Sequence, residues 1–156
     1  MSEYSTDPQL VSLEPVTAAV VREIVPMSEL PSFFDRAFHA VMATAQAQGV
    51  PVAGPPVGVY YGMPAETVDV AAGFPTAGPV EATGDVASVT LPGGRAAQIL
   101  HVGSYDSMEQ TYGRLMPWLG QQGLIPAGVM WESYLTEPTP EAPESMQTLI
   151  TWPLVG

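Results

Sequence analysis

Trp131-Glu132-Ser133-Tyr134-Leu135-Thr136-Glu137-Pro138 is the stretch on which the reading of this chain turns. Its alternation is that of a strand, in which residues i and i+2 share a face. Glu132 and Tyr134 then point one way, and Trp131, Ser133 and Leu135 the other. A carboxylate on the interior face of such a strand must be hydrogen-bonded, protonated or paired with a cation, because a bare charge is costly to bury. On the solvated face of an ordinary strand it needs no partner. The interior reading makes Glu132 the base of a binding site, and the remainder of the chain is weighed against it.

At 156 residues the chain has the size of one domain with a real core. Apolar residues at 46% and charged residues at 13% fit a folded protein, and no apolar run approaches the roughly 18 to 20 residues that span a bilayer. Residues 1–7 lack a basic start followed by an apolar stretch, so no signal peptide is read and a cytoplasmic location is expected. With no cysteine there is no disulfide framework, thiolate nucleophile or cysteine-based metal site.

Acidic residues number 16 against 4 basic ones, Arg22, Arg36, Arg95 and Arg114. Such a chain cannot assemble the basic cluster that a phosphate backbone needs, which argues against direct nucleic-acid binding. A formal charge of −12 enriches cations at the surface, besides keeping the protein in solution. His39 and His101 read as a helix-surface residue and a strand residue, so no metal site is expected. Gly93-Gly94 and Pro55-Pro56 read as turns without a phosphate-loop pattern, and no cofactor is expected.

Along the chain, residues 1–14 are polar and read as a flexible N-terminus, with one domain over 15–156. A strand is expected over 16–25. Ser28 reads as a helix cap, with Pro31 tolerated in the first turn. Phe34, Phe38, Val41, Met42 and Ala45 make one apolar stripe on the helix that follows, and Gly49 ends it. Residues 57–63 and 67–74 read as a hairpin about Pro64-Ala65-Glu66. In the second half, 85–91 and 95–102 read as strands. Asp106 and Glu109 form a capping-box-like start to a second helix with the stripe Met108, Tyr112, Leu115, Met116 and Leu119. Pro117 should kink or shorten this helix. Residues 138–144 read as an exposed hairpin loop.

The halves repeat. A shift of 74 lays Gln48, Gly49, Ala53, Gly54, Tyr60 and Pro64 on Gln122, Gly123, Ala127, Gly128, Tyr134 and Pro138, six identities in 17 positions. The same shift lays Phe38 on Tyr112 and Met42 on Met116. The first strands pair better at a shift of 78, a difference of about one helical turn, so the second helix is expected to be the shorter. Pseudo-repeats over about 16–74 and 86–154 follow. An α+β fold is expected, in which duplicated strand-helix-strand-strand units share one antiparallel sheet with two helices on one face. The cleft between the halves is then the natural pocket. At its base Gly58 stands where the other half has Glu132, so one half offers room and the other a charge.

Tyr60 after the first helix, the Glu132-x-Tyr134 strand and the closing Thr148-Leu149-Ile150-Thr151-Trp152-Pro153-Leu154 together resemble the GyrI-like small-molecule-binding domains, over roughly residues 15–154. That bacterial family includes the effector-binding modules of multidrug-responsive transcription activators and stand-alone gyrase-inhibitory proteins. The resemblance implies a U-shaped sheet and, at Glu132, a glutamate beneath an aromatic-lined pocket for cationic lipophilic compounds. The chain shows no DNA-binding helices ahead of its first strand, so the stand-alone form is expected.

Three functions are then in view. The first is a module binding hydrophobic, cationic or aromatic small molecules, its site formed by Glu132, Gly58, Tyr60, Tyr134, Phe34, Trp118, Trp131 and Trp152; each aromatic residue has a core reading as well. The second, implied by the resemblance, is a hydrolase of reactive cyclopropane-bearing natural products, with Glu132 as base and Tyr60 or Tyr134 orienting the substrate. The third is an interaction with a protein partner such as a DNA topoisomerase, against which the lack of contiguous acidic blocks speaks.

Overall fold

The strand that opens the first half is apolar on both sides. Ala18 and Val20 enter one buried cluster while Ala19 and Val21 enter another. A strand buried on both faces reads as a continuous apolar run, as Ala18 to Val21 do.

The computed structural model describes residues 4–62, 65–104, 107–136 and 145–155. In chain order its elements are β1 (Gln9–Leu13), β2 (Val16–Pro26), α1 (Leu30–Gln48), β3 (Val57–Tyr61), β4 (Thr67–Pro75), β5 (Val86–Leu91), β6 (Gly94–Val102), α2 (Met108–Gln121), β7 (Val129–Tyr134) and β8 (Gln147–Pro153). The strands form one antiparallel sheet in the order β1-β6-β8-β7-β3-β4-β2-β5. This order is symmetric about the β3–β7 junction. Outward from it run β4, β2 and β5 on one side and β8, β6 and β1 on the other. The duplicated units are β2-α1-β3-β4 and β6-α2-β7-β8, and the sheet curls with both helices on one face.

The strand preceding each unit crosses to the other half, β1 pairing with β6 and β5 with β2. Gln9–Leu13 is thus a correction to the flexible N-terminus read from residues 1–14: this segment, in which Leu10, Val11 and Leu13 are apolar, is drawn into order by the free edge of β6. At the junction, Gly58 lies opposite Glu132. These are the two residues equated by the shift of 74, so the symmetry of the strand order passes through this pair.

α1 follows a 3-10 turn, Met27–Glu29, which moves the helix start beyond Ser28; Glu29 holds the N-cap position without a side-chain cap bond, so Ser28 is not the cap. At the other end Gly49 adopts φ 68°, and its N–H meets the Ala45 and Gln46 carbonyls. A left-handed residue there favours glycine. α2 has 14 residues against 19 in α1 and contains Pro117 within it. Asp106, Pro64 and the loop over 138–144 lie outside the described residues.

Three clusters form the core. α1 packs on β2 and β4 through Phe33, Ala37 and Val41; α2 packs on β6, β7 and β8 through Leu115 and Leu119; Val57, Val59 and Trp131 fill the opposite face of the curled sheet. The fully buried line of α1 therefore begins at Phe33 rather than at Phe34, one residue and about 100° around the helix from the expected stripe. In α2, Met116 is 43% exposed and Thr111 takes a buried place.

Candidate ligand-binding site

β7 brings its alternate residues to opposite sides of the sheet. Trp131 goes to the face away from the helices, and Glu132 and Tyr134 face the space between them. That space is a cleft of about 1020 Å³. α1 supplies one wall through Phe34, Phe38 and Met42, an i, i+4, i+8 row, and Met108 of α2 also reaches the cleft. The wall is a continuous aromatic surface. Phe34 stacks on Phe38 at 5.7 Å between ring centroids, Phe38 meets Phe74 edge-on at 5.6 Å, and Phe34 meets Tyr134 edge-on at 6.0 Å.

Glu132 lies on the floor of this apolar space at 9% exposure. Tyr112 of α2 donates its hydroxyl to Oε2 at 2.5 Å, and Tyr134 donates to Oε1 at 3.0 Å. Tyr60 interacts with both Glu132 and Tyr134, which completes a cluster of three phenols about one carboxylate. Tyr60 and Tyr134 are equivalent under the shift of 74, so the cluster draws on both halves. Among the described residues, none of the ion pairs involves Glu132.

Burial pushes the Glu132 carboxyl above its usual range; hydrogen bonds from Tyr112 and Tyr134 and the influence of nearby His101 pull the other way without cancelling it. Burial, followed by the charge of Glu132, also pushes Tyr60, Tyr112 and Tyr134 upward. The phenols accordingly stay protonated and act as donors. Gly58 is a close-approach position. A Cβ there would lie 2.7 Å from the Tyr134 hydroxyl and 3.0 Å from the Phe34 ring, so its absence lets Tyr134 reach Glu132.

Of the residues singled out from sequence, Glu132, Tyr60, Tyr134, Phe34 and Gly58 come together here. The three tryptophans do not line the cleft, which corrects their expected place. Trp131 packs beneath the sheet because of strand alternation, Trp118 packs in the α2 cluster, and Trp152 donates its indole N–H to the Ala127 carbonyl at 3.0 Å. Helical spacing alone places Tyr112 on an apolar stripe. The signal that distinguishes it is its hydroxyl, at the position where the first half has Phe38. Metal-ligand clusters are absent among the described residues, and none of the described helices is long and apolar enough to cross a membrane.

Such a fold, with a cleft of this size between two repeats, defines a small-molecule-binding domain. The model of the GyrI-like small molecule binding domain family matches residues 6–155, and the chain belongs to that family. Comparison with curated proteins gives no significant match. Among solved structures, the C-terminal domain of EcmrR is similar at 20% identity, with 99% of each chain covered and a TM-score of 0.75. In EcmrR solved with DNA, this chain spans 57% of the larger protein at a TM-score of 0.80. A hydrolase from Listeria innocua is similar at 15% identity, covering 97% of this chain and 93% of that one, with a TM-score of 0.66. SAV2435, solved bound to tetraphenylphosphonium, is similar at 15% identity, with coverage of 96% and 94% and a TM-score of 0.66. At these identities the likeness is one of fold.

Proposed function

We propose that this domain binds hydrophobic cations, their aromatic groups against the Phe34–Phe38–Phe74 wall and their charge above Glu132. The observation that carries this reading is a buried carboxylate on the floor of an apolar cleft, with phenol donors around it and no ion-pair partner among the described residues. Aromatic faces add roughly 0.5 to 2 kcal/mol each to the binding of a cation. The phosphonium found in SAV2435, a protein of the same fold, is of this chemical class and supports the reading.

The test is tetraphenylphosphonium against neutral triphenylphosphine oxide, by calorimetry. Glu132→Gln is expected to weaken the cation by about 1 to 3 kcal/mol and the neutral compound much less. Affinity for the cation falls as pH drops through the raised pKa of Glu132, since the ligand needs the carboxylate ionised. Equal losses for both compounds, or none, would falsify the charge-anchoring role.

A second reading, hydrolysis of a strained electrophile, draws support from the raised Glu132 carboxyl set against three phenol donors, groups suited to proton transfer. The readings divide on one variant. A hydrolase loses turnover in Glu132→Gln while keeping substrate affinity; a binding module loses affinity for cations and turns nothing over.

A further inference from the structure

The face of the sheet away from the cleft is not completely filled. β1 and β5 are the two edges of the sheet, yet Leu13 of β1 and Leu91 of β5 pack into one cluster with Trp131. The sheet therefore curls until its edges lie over a common interior. Eight strands rolled into a barrel leave a space just wide enough for side chains or for one small ligand. Here the side chains leave a cavity of about 160 Å³, walled by residues from every one of the eight strands. It shares no lining residue with the cleft. On β7, Trp131 and Ser133 line the cavity while Glu132 and Tyr134 line the cleft, so alternate residues of one strand serve two separate spaces.

The wall is mostly apolar, with a few polar side chains. Thr151 on β8 lies directly opposite both Trp131 on β7 and Gln98 on β6, so the three share the cavity face. Gln98 donates its carboxamide N–H to the Thr151 hydroxyl at 3.1 Å, which pairs these two with each other. The half-buried Ser133 hydroxyl, by contrast, has no hydrogen-bond partner among the described residues. The space has room for several waters, each needing roughly two to four polar partners, and so few polar groups cannot satisfy them. An apolar body that displaces poorly held water gains affinity. A cavity of similar size, about 150 Å³, lined by aliphatic and aromatic side chains takes up benzene. Charge is costly inside. Among the described residues, none of those lining the cavity is basic, and Glu14, the one acid there, stands exposed on the link between β1 and β2.

We infer that this cavity is a second ligand site, for a neutral single-ring molecule carrying one hydrogen-bonding group, its ring against Trp131 and Leu91 and its polar group on the Ser133 hydroxyl. The inference stands apart from the cation reading, because no group of the cleft takes part in it. Val16 lines the cavity and is 38% exposed, which places it at the mouth, where β2 pairs with the edge strand β5.

The test titrates p-cresol, and p-xylene in which a methyl group replaces the hydroxyl, into the full chain, followed through the methyl spectra of its leucines and valines. p-Cresol is expected to shift the signals of Leu13, Val57, Leu91 and Leu149 along one saturating curve. Leu30 and Leu135 report on the cleft. Shifts confined to those two, or no saturating shift at the cavity signals, overturn the inference. Ser133→Ala is expected to weaken p-cresol roughly threefold to tenfold and to leave p-xylene unchanged. An equal effect on both compounds, or none on p-cresol, overturns the hydrogen-bonding class assigned to the ligand. Val16→Trp plugs the mouth from an exposed position and is expected to weaken p-cresol by about tenfold or more, while the Leu30 and Leu135 signals keep their places. Undiminished binding by the folded Val16→Trp protein counts against the site. Should that variant not fold, the methyl shifts of the unaltered protein and the Ser133→Ala comparison decide.

Discussion

Glu132 sets the behaviour of the site and part of the stability of the free protein. Its carboxyl is raised by burial, so between its unfolded pKa of about 4.3 and the higher folded one the native state holds more of the proton than the unfolded state does. Its contribution to stability therefore falls as pH rises through that window, and the full deficit is present above it. Glu132→Gln is expected to gain stability relative to the parent as pH rises from about 4 to about 8, measured by urea unfolding at each pH. A difference that is flat, or that runs the other way, would show that the phenol donors outweigh the cost of burial. Gly58 acts on the same group from the facing strand. The groups that an added Cβ meets are the ends of the Tyr134 and Phe34 side chains, which can move while the backbone stays. Gly58→Ala is expected to cost about 1 to 3 kcal/mol of stability and to lower cation affinity by turning Tyr134 from Glu132. Unchanged affinity in a folded Gly58→Ala protein would mean that the Tyr134 contact has no part in binding.

α1 serves the core and the cleft from adjacent rows. Phe33 is fully buried against the sheet, while Phe34 is half-buried and lines the cleft beside Tyr134. Phe33→Ala is expected to cost about 3 to 5 kcal/mol by opening a void in the core. Phe34→Ala should cost less stability and more ligand affinity. Denaturation and tetraphenylphosphonium binding on both variants check the division, and matching losses in the two assays would show that the helix does not separate these roles. The same geometry explains why the helix pattern was hard to read. A helix with apolar residues toward both sheet and cleft carries a wide stripe, and periodicity alone does not say which edge is dry.

The halves are tied together by exchanged strands, since β1 runs ahead of the first unit yet pairs with the second, and β5 does the reverse. Removing residues 1–13 leaves the outer edge of β6 unpaired, its other edge still held by β8, and takes Leu13 from the cluster beneath the sheet. Such a truncation is expected to lower the urea midpoint markedly and to promote association through the bared edge, followed by size-exclusion chromatography. An unaltered midpoint in a monomeric truncated protein would show that β1 is dispensable to the fold.

The amino-acid sequence determined the features that depend on near neighbours. Strand alternation set Glu132 and Tyr134 opposite Trp131, Gly49 stopped α1, and the shift of 74 equated Gly58 with Glu132. These follow from backbone period and terminal chemistry, which act over a few residues and survive in any context. Tertiary structure alone decided that Gly58 and Glu132 are paired across the junction, that Tyr112 joins the carboxylate from 20 residues away, that the tryptophans lie elsewhere, and that Gln9–Leu13 is a strand. Each of those depends on which surfaces meet when distant segments pack. A phenol on an apolar stripe, or a five-residue segment near the N-terminus, carries no local mark of the partner that will give it a place.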